Sequence, residues 1–228
     1  MRIICFILLT FFNSSLVFGE RLKYTGDSPL IKAASQGNLE EVQRLIEEGA
    51  DIDEVDSIGR NSLEWAVCGG HLSVVRYFIC DRRADIRQTD QYNQSLLHKA
   101  ARQGDLEVVE FLIDQGLDFR LINSYGMTTL HNAAMSGNPG TVECLLKKAK
   151  EAELPPEEYV DKSDWYCRTP LFIAKQELAS VTKELAKQNS SVTARILARQ
   201  ARIEETVELI KNALKSEKQT GCAPCLIQ

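Results

Sequence analysis

The sequence predicts an all-α solenoid built from short helix–turn–helix repeats. The first observation is a complete helical hairpin in residues 95–113. Ser95 can cap a short helix, and Gly104 can end it in the left-handed conformation that glycine adopts at little cost. Asp105 then opens a second helix, whose apolar face consists of Val108, Val109, Leu112 and Ile113. One hairpin is too small to bury this face alone, so it requires similar neighbours.

The second observation is a repeat of about 33 residues. Leucines recur at intervals of 33, 34, 33 and 41 residues, at Leu30, Leu63, Leu97, Leu130 and Leu171. Three residues after each stands an alanine: Ala33, Ala66, Ala100, Ala133 and Ala174. Seven residues after the first four stands a glycine: Gly37, Gly70, Gly104 and Gly137. A valine and a large apolar residue also recur, twelve and fifteen residues after each of these four leucines. This agreement predicts four regular repeats.

The regularity decreases after the fourth repeat. A charged insertion over residues 147–162, with Pro155 and Pro156 near its centre, lengthens the last interval. The fifth copy keeps Leu171 but has Leu178 where the glycine should stand, which is typical of a terminal capping repeat. Helices are expected over residues 179–187 and 193–215. We therefore predict a signal peptide at residues 1–19, a repeat domain at 20–174, a helical extension at 175–218 and a tail at 219–228.

The expected helix over residues 193–215 carries a heptad seam. Its members are Ile196, Ile203, Val207, Ile210 and Leu214. One interpretation is that this helix packs on the end of the solenoid, and the other is a weak homodimer through residues 193–215. The polar Gln200 interrupts the seam, which favours packing.

The helix starts carry a motif that identifies a family. They read Ser28-Pro29-Leu30-Ile31, Asn61-Ser62-Leu63-Glu64, Ser95-Leu96-Leu97-His98, Thr128-Thr129-Leu130-His131 and Thr169-Pro170-Leu171-Phe172. They resemble the threonine-proline-leucine-histidine motif of the ankyrin-repeat family, over residues 26–174. The resemblance implies a concave surface that binds another protein, with His98 and His131 as structural bridges to backbone.

Composition excludes several other classes of function. The 228-residue chain has a formal net charge of −5, which argues against nucleic acid as its main partner. We recognise no carboxylate pair, nucleophile–base arrangement, phosphate-binding loop or metal-ligand spacing. We therefore expect neither an enzyme nor a bound cofactor or metal, and the unnamed partner is another protein.

Candidate partner-binding residues lie just before the reference leucines and on the adjacent helix face. They are Ile58, Arg60, Tyr92, Tyr125, Met127, Trp165, Tyr166 and Arg168, with Trp65 and Arg102 on the helix face. Aromatic and arginine side chains dominate binding energies, so their recurrence in register favours an interface. The alternative is that single exposed apolar residues are normal on any surface.

The two ends of the chain carry different targeting signals. Residues 1–19 combine Arg2, an apolar run and small residues at the end, as in a cleaved signal peptide. The last four residues, Cys225-Leu226-Ile227-Gln228, match a prenylation box, and Cys222 could carry a palmitoyl group. Together these features resemble prenylated ankyrin effectors of intracellular bacteria, which are secreted and then associate with a host membrane. The alternatives are a periplasmic or secreted binding protein without lipid, and a thiol redox protein using Cys222 and Cys225.

Overall fold

The fold is a solenoid of stacked helix pairs in a computed structural model, which describes residues 28–155, 158–185 and 193–219. The inner helices are α1 (Pro29–Ser35), α3 (Ser62–Cys68), α5 (Leu96–Gln103), α7 (Thr129–Ser136) and α9 (Pro170–Leu185). The outer helices are α2 (Leu39–Glu47), α4 (Leu72–Arg76), α6 (Leu106–Asp114), α8 (Pro139–Glu151) and α10 (Thr193–Gln219). The predicted all-α solenoid is confirmed. The proposed signal peptide and both tail cysteines lie outside the described residues.

The core runs along the axis of the stack. Each inner helix contacts the next inner helix, and each outer helix contacts the next outer helix. The reference leucines of the four regular repeats are buried, as are all five alanines of the repeat pattern. The period of about 33 residues therefore marks the apolar positions that neighbouring hairpins bury against one another.

Left-handed glycines end the first helix of each regular repeat, as predicted. Gly37, Gly70, Gly104 and Gly137 have φ angles of 71°, 71°, 75° and 65°. Gly137 also needs its small size, because a Cβ there would lie 2.5 Å from Cγ1 of Ile203 on α10. This glycine thus allows α10 to approach the fourth repeat closely.

The corner after α4 is irregular. The helix continues as a π-helical turn over Tyr77–Asp81, and Arg83 adopts a φ of 55°. By contrast, the second helices of repeats 1 and 3 are each followed by a glycine with positive φ, Gly49 and Gly116. Arg83 takes the place of these closing glycines in repeat 2, and the corner there is less regular.

The C-terminal helices differ from the expected bounds. Helix α9 runs from Pro170 through Leu178 without a turn, so the expected start at residue 179 was wrong. The reason is that no glycine offers a left-handed stop there. The domain boundary drawn after Ala174 therefore falls within a helix. Helix α10 contacts α9 and α8, and so occupies the outer-helix position of the fifth repeat.

The heptad seam of α10 faces the rest of the chain. Ile196, Ile203, Val207 and Ile210 are all buried. The structure thus agrees with the packing interpretation. A homodimer through the same seam would require α10 to leave the solenoid.

The charged insertion contributes to the core, which its composition does not indicate. Tyr159 is 1 % exposed and packs edge-on against Phe119, with ring centroids 5.3 Å apart. The Thr129 hydroxyl donates to the Phe119 carbonyl oxygen, so the Tyr159 hydroxyl donates to Thr129 across 2.6 Å. Tyr159 thus joins this mostly charged segment to repeats 3 and 4, and Val160 beside it is also buried.

Candidate functional site

Four loops before the inner helices, which we call fingers, share one turn geometry. Each begins with an acidic or amide residue seven positions before the reference leucine: Asp56, Asp90, Asn123 and Asp164. The Oδ1 atom of each accepts hydrogen bonds from the backbone N–H groups two and four residues later, at 2.9–3.0 Å. The first of these two donors is the backbone N–H of the finger-tip residue, so this side-chain turn fixes the position of the tip.

The third residue after each of these acidic or amide residues reverses the backbone. Gly59, Asn93, Gly126 and Cys167 have φ angles of 76°, 56°, 73° and 58°. Both features keep a constant spacing, so the sequence could have revealed them. These acidic and amide residues were not among the predicted contact residues.

The finger tips of repeats 3 to 5 are joined to one another. The Ser124 N–H donates to the Tyr92 carbonyl oxygen at 2.8 Å, and the Trp165 N–H donates to the Tyr125 carbonyl oxygen at 3.0 Å. The rings of Tyr92 and Tyr125 stack with centroids 5.7 Å apart and an interplanar angle of 26°. These three tips therefore form one ordered surface, and their side-chain positions are set before a partner arrives.

Trp165 and Tyr166 lie at the tip of the last finger. The Trp165 side chain is 73 % exposed and lies on the Gly126 backbone, where an added Cβ would come within 1.6 Å of its ring. The guanidinium of Arg168 lies 5.1 Å from the centre of the Tyr166 ring. Arg168 also donates to the buried Asp164 carboxylate through Nε and lies 2.7 Å from it through Nη2. A wide aromatic surface therefore faces solvent beside a fixed cation.

The predicted contact residues divide by exposure. Ile58, Tyr92, Trp165 and Tyr166 are exposed, whereas Arg60, Tyr125, Arg168 and Arg102 are partly buried. We call the four finger tips and Trp165, namely Ile58, Tyr92, Tyr125, Trp165 and Tyr166, the finger row.

Two of the predicted contact residues are not on the surface. Met127 is 3 % exposed, because its side chain joins the core of the solenoid. Trp65 is also 3 % exposed; its Nε1 donates to Asp56 Oδ2 at 2.8 Å and the Arg60 guanidinium covers its ring. Spacing alone could not distinguish side chains that turn inward from those that turn outward. Both are therefore removed from the candidate surface.

The repeat histidines are structural, as the resemblance implied. The His98 Nδ1 atom lies 2.9 Å from the Ser95 hydroxyl, and its Nε2 atom lies 3.2 Å from the Met127 carbonyl oxygen. A carbonyl only accepts, so Nε2 carries a proton; Nδ1 accepts from the Ser95 backbone N–H, so the ring is neutral. His131 makes the equivalent contacts one repeat later. Each histidine thus ties a helix start to the following finger.

We expect His131 to make stability depend on pH. Burial lowers the pKa of His131 from its ordinary value of 6.5 to about 4, although its bond to the Arg168 carbonyl opposes this. The unfolded chain therefore takes up the proton first, so stability falls as the pH drops from 6.5 towards 4. Urea unfolding at pH 7 and at pH 4.5 measures this change in the free energy of unfolding. The decrease between the two pH values should be about 2 kcal/mol smaller in His131→Gln than in the wild type. Equal losses in both proteins would contradict this prediction.

A buried ionic link joins two neighbouring inner helices. Lys99 Nζ lies 2.9 Å from Glu64 Oε2 and 3.5 Å from Asp90 Oδ2, and the Lys99 and Glu64 side chains are less than a tenth exposed. This link joins α3 and α5, so Lys99 holds the repeats together.

Across the described ranges, no three His, Cys, Asp or Glu side chains are grouped to hold a metal ion. Within the same ranges, no helix has the length and apolar composition needed to cross a bilayer.

Comparisons with known proteins identify the repeats. A family model described as ankyrin repeats in three copies matches residues 4–90 and 82–156. The palmitoyltransferase ZDHHC13 of Danio rerio is 32% identical over 167 residues, which cover 72% of this chain and 25% of that protein. The 26S proteasome regulatory subunit p28 of Saccharomyces cerevisiae is 34% identical over 90 residues, or 39% of each chain.

The names of these relatives do not describe a shared activity. An L-asparaginase of Dirofilaria immitis also matches, at 32% identity over 36% of this chain and 14% of that protein. This chain spans no more than a quarter of the length of that asparaginase or of the Danio palmitoyltransferase. What these proteins have in common with it is the repeat region. On the family match and the repeating geometry together, this chain belongs to the ankyrin-repeat family.

Proposed function

We propose that the protein is a non-catalytic interaction module that binds another protein across its finger row. The observation that carries this proposal is the linked set of finger tips in repeats 3 to 5, with Tyr92, Trp165 and Tyr166 exposed on it. Large aromatic side chains supply much of the binding energy in protein interfaces. Side chains that are already ordered lose less entropy when a partner docks.

The proposal is tested by site-specific photocrosslinking in cells that express the protein. A benzophenone side chain replaces Tyr92 or Tyr166 on the row, and Cys80, which is exposed on the outer π-helical turn, provides the control position. We expect both row positions to capture the same protein. Added wild-type protein without the crosslinker should compete for this capture, and a Trp165→Ser variant should not. Equal capture from position 80 would contradict the proposal.

We further propose that this module is a secreted effector held on a host membrane. Support comes from the sequence of the two ends, with a signal-like segment at residues 1–19 and a prenylation box at Cys225. Cys222 lies three residues upstream, where a second lipid would strengthen attachment.

The intact mass of residues 20–228 expressed in eukaryotic cytosol tests the lipid proposal. We expect a gain of one farnesyl group, the loss of the last three residues, and no such change in Cys225→Ser. An unmodified mass would contradict prenylation and favour a periplasmic or secreted module without lipid. An unmodified protein whose Cys222 and Cys225 reduce a test disulfide would favour the redox alternative instead.

A further inference from the structure

The exposed rings of the finger row are held in fixed orientations. The Trp165 indole lies on the Gly126 backbone, where an added Cβ would come within 1.6 Å of it, and the rest of the ring faces solvent. The Tyr92 ring stacks on Tyr125 with centroids 5.7 Å apart, and it too is exposed. Tyr166 adds a third exposed ring at the last finger. A partner therefore meets aromatic surfaces whose directions are already set.

The backbone along the linked part of the row is already paired. The N–H groups of the tips in repeats 3 to 5 donate to the Oδ1 atoms that begin their fingers. The carbonyl oxygens of Tyr92 and Tyr125 accept from the next finger, at Ser124 and Trp165 respectively. A partner that adds a β-strand binds through unpaired backbone groups at an edge. These hydrogen bonds therefore argue against strand addition along the row.

The charged side chains at the bases of these fingers are paired as well. Asp90 Oδ2 lies 3.5 Å from Lys99 Nζ, and Asp164 Oδ2 accepts a hydrogen bond from Arg168 Nε at 2.8 Å. Each pair brings together one positive and one negative charge beside the aromatic tips. Electrostatic attraction to an acidic or a basic partner therefore contributes little here, and ring contacts and hydrogen bonds decide what binds.

The polar atoms of the exposed rings can all donate a hydrogen bond. The Trp165 indole N–H only donates, and the Tyr92 and Tyr166 hydroxyls can donate. A helical partner uses its carbonyl oxygens in its own hydrogen bonds, so its backbone would offer these donors no acceptor. A polyproline II segment makes no internal hydrogen bonds, so its carbonyl oxygens point outward. Proline also lacks a backbone N–H that would itself need an acceptor.

We propose that the finger row binds a proline-rich segment of the partner in the polyproline II conformation. Proline rings of the segment pack on the exposed rings of Tyr92, Trp165 and Tyr166, and the ring donors bond to carbonyl oxygens of the segment. The segment is already extended before it binds, so it loses little conformational entropy. The proposal rests on the protein-binding function and adds the chemistry of the bound segment to it.

The test is an NMR titration of the indole N–H resonances in the full chain, whose two tryptophans are Trp65 and Trp165. The probe is blocked decaproline, and the control is a blocked glycine–alanine peptide of the same length. We expect a saturable shift of the Trp165 resonance with decaproline and not with the control. Trp65 is buried and bonded to Asp56, so its resonance should stay in place and report an intact fold.

Matched variants separate the contribution of the ring from that of the hydroxyl. Tyr166→Ser should weaken decaproline binding by about tenfold or more, because it removes a ring on which proline packs. Tyr166→Phe keeps the ring and should weaken binding by about threefold, the loss of one hydrogen bond. Leu197→Ser, which alters an exposed apolar side chain on α10, should leave the affinity unchanged.

Three results would overturn the proposal: no saturable shift of Trp165, equal shifts with both peptides, or wild-type affinity for decaproline in Tyr166→Ser. Failure of the protein-binding function is read separately, from equal crosslinking at Cys80. Capture of one partner from Tyr92 and Tyr166, together with an unresponsive Trp165 resonance, would reject the proline-rich segment alone.

Discussion

Replacing Tyr159 with alanine should lower the free energy of unfolding by about 3–5 kcal/mol. The Tyr159 ring is fully enclosed, with its edge against Phe119 and its hydroxyl bonded to Thr129. Truncation would leave a cavity between the insertion and repeats 3 and 4, and the adjoining α8 could not close it without moving. Urea unfolding followed by circular dichroism measures this loss.

Tyr159→Phe is the matched control for this cavity. It keeps the ring and removes only the hydroxyl, and Thr129 still donates to the Phe119 carbonyl. We expect it to cost about 0.5–1.5 kcal/mol, the ordinary net value of one hydrogen bond. If alanine cost no more than phenylalanine, the insertion would not be anchored as described.

Replacing Trp165 with serine should weaken partner binding by about 30-fold to 1,000-fold, which corresponds to about 2–4 kcal/mol. Among the described residues, Trp165 presents the most exposed of the large apolar side chains, and its position is set by the Gly126 backbone beneath it. The free energy of unfolding should change little, because the ring buries little surface in the isolated chain. Isothermal titration with the captured partner measures the affinity.

The solenoid architecture was predictable from the sequence because weak preferences of single residues become informative when they recur at a fixed spacing. A single leucine or glycine predicts little, whereas Leu97 and Gly104 recur with their neighbours at fixed spacing. Comparing repeats gives no information about a segment that occurs only once in the chain. Tyr159 lies in an insertion without a counterpart, so nothing in its surroundings indicated that it would be buried.

The finger row was only partly predictable, because spacing gives position along the chain and not side-chain direction. Arg60, Met127 and Arg168 share one register position, yet Met127 enters the core while the two arginines stay partly exposed. Apolar character decides that difference. Trp65 is buried for another reason, since its indole N–H bonds the Asp56 carboxylate that shapes the finger.

The most direct test of partner binding through the finger row is a comparison of dissociation constants for one partner across matched variants. Tyr92→Ser, Trp165→Ser and Tyr166→Ser alter the row, and Leu197→Ser alters α10 at an apolar side chain that is 49% exposed. We expect about tenfold or greater losses from the row variants and less than about threefold from Leu197→Ser. A large loss confined to Leu197→Ser, with the row variants unchanged, would contradict the assignment of partner binding to the finger row.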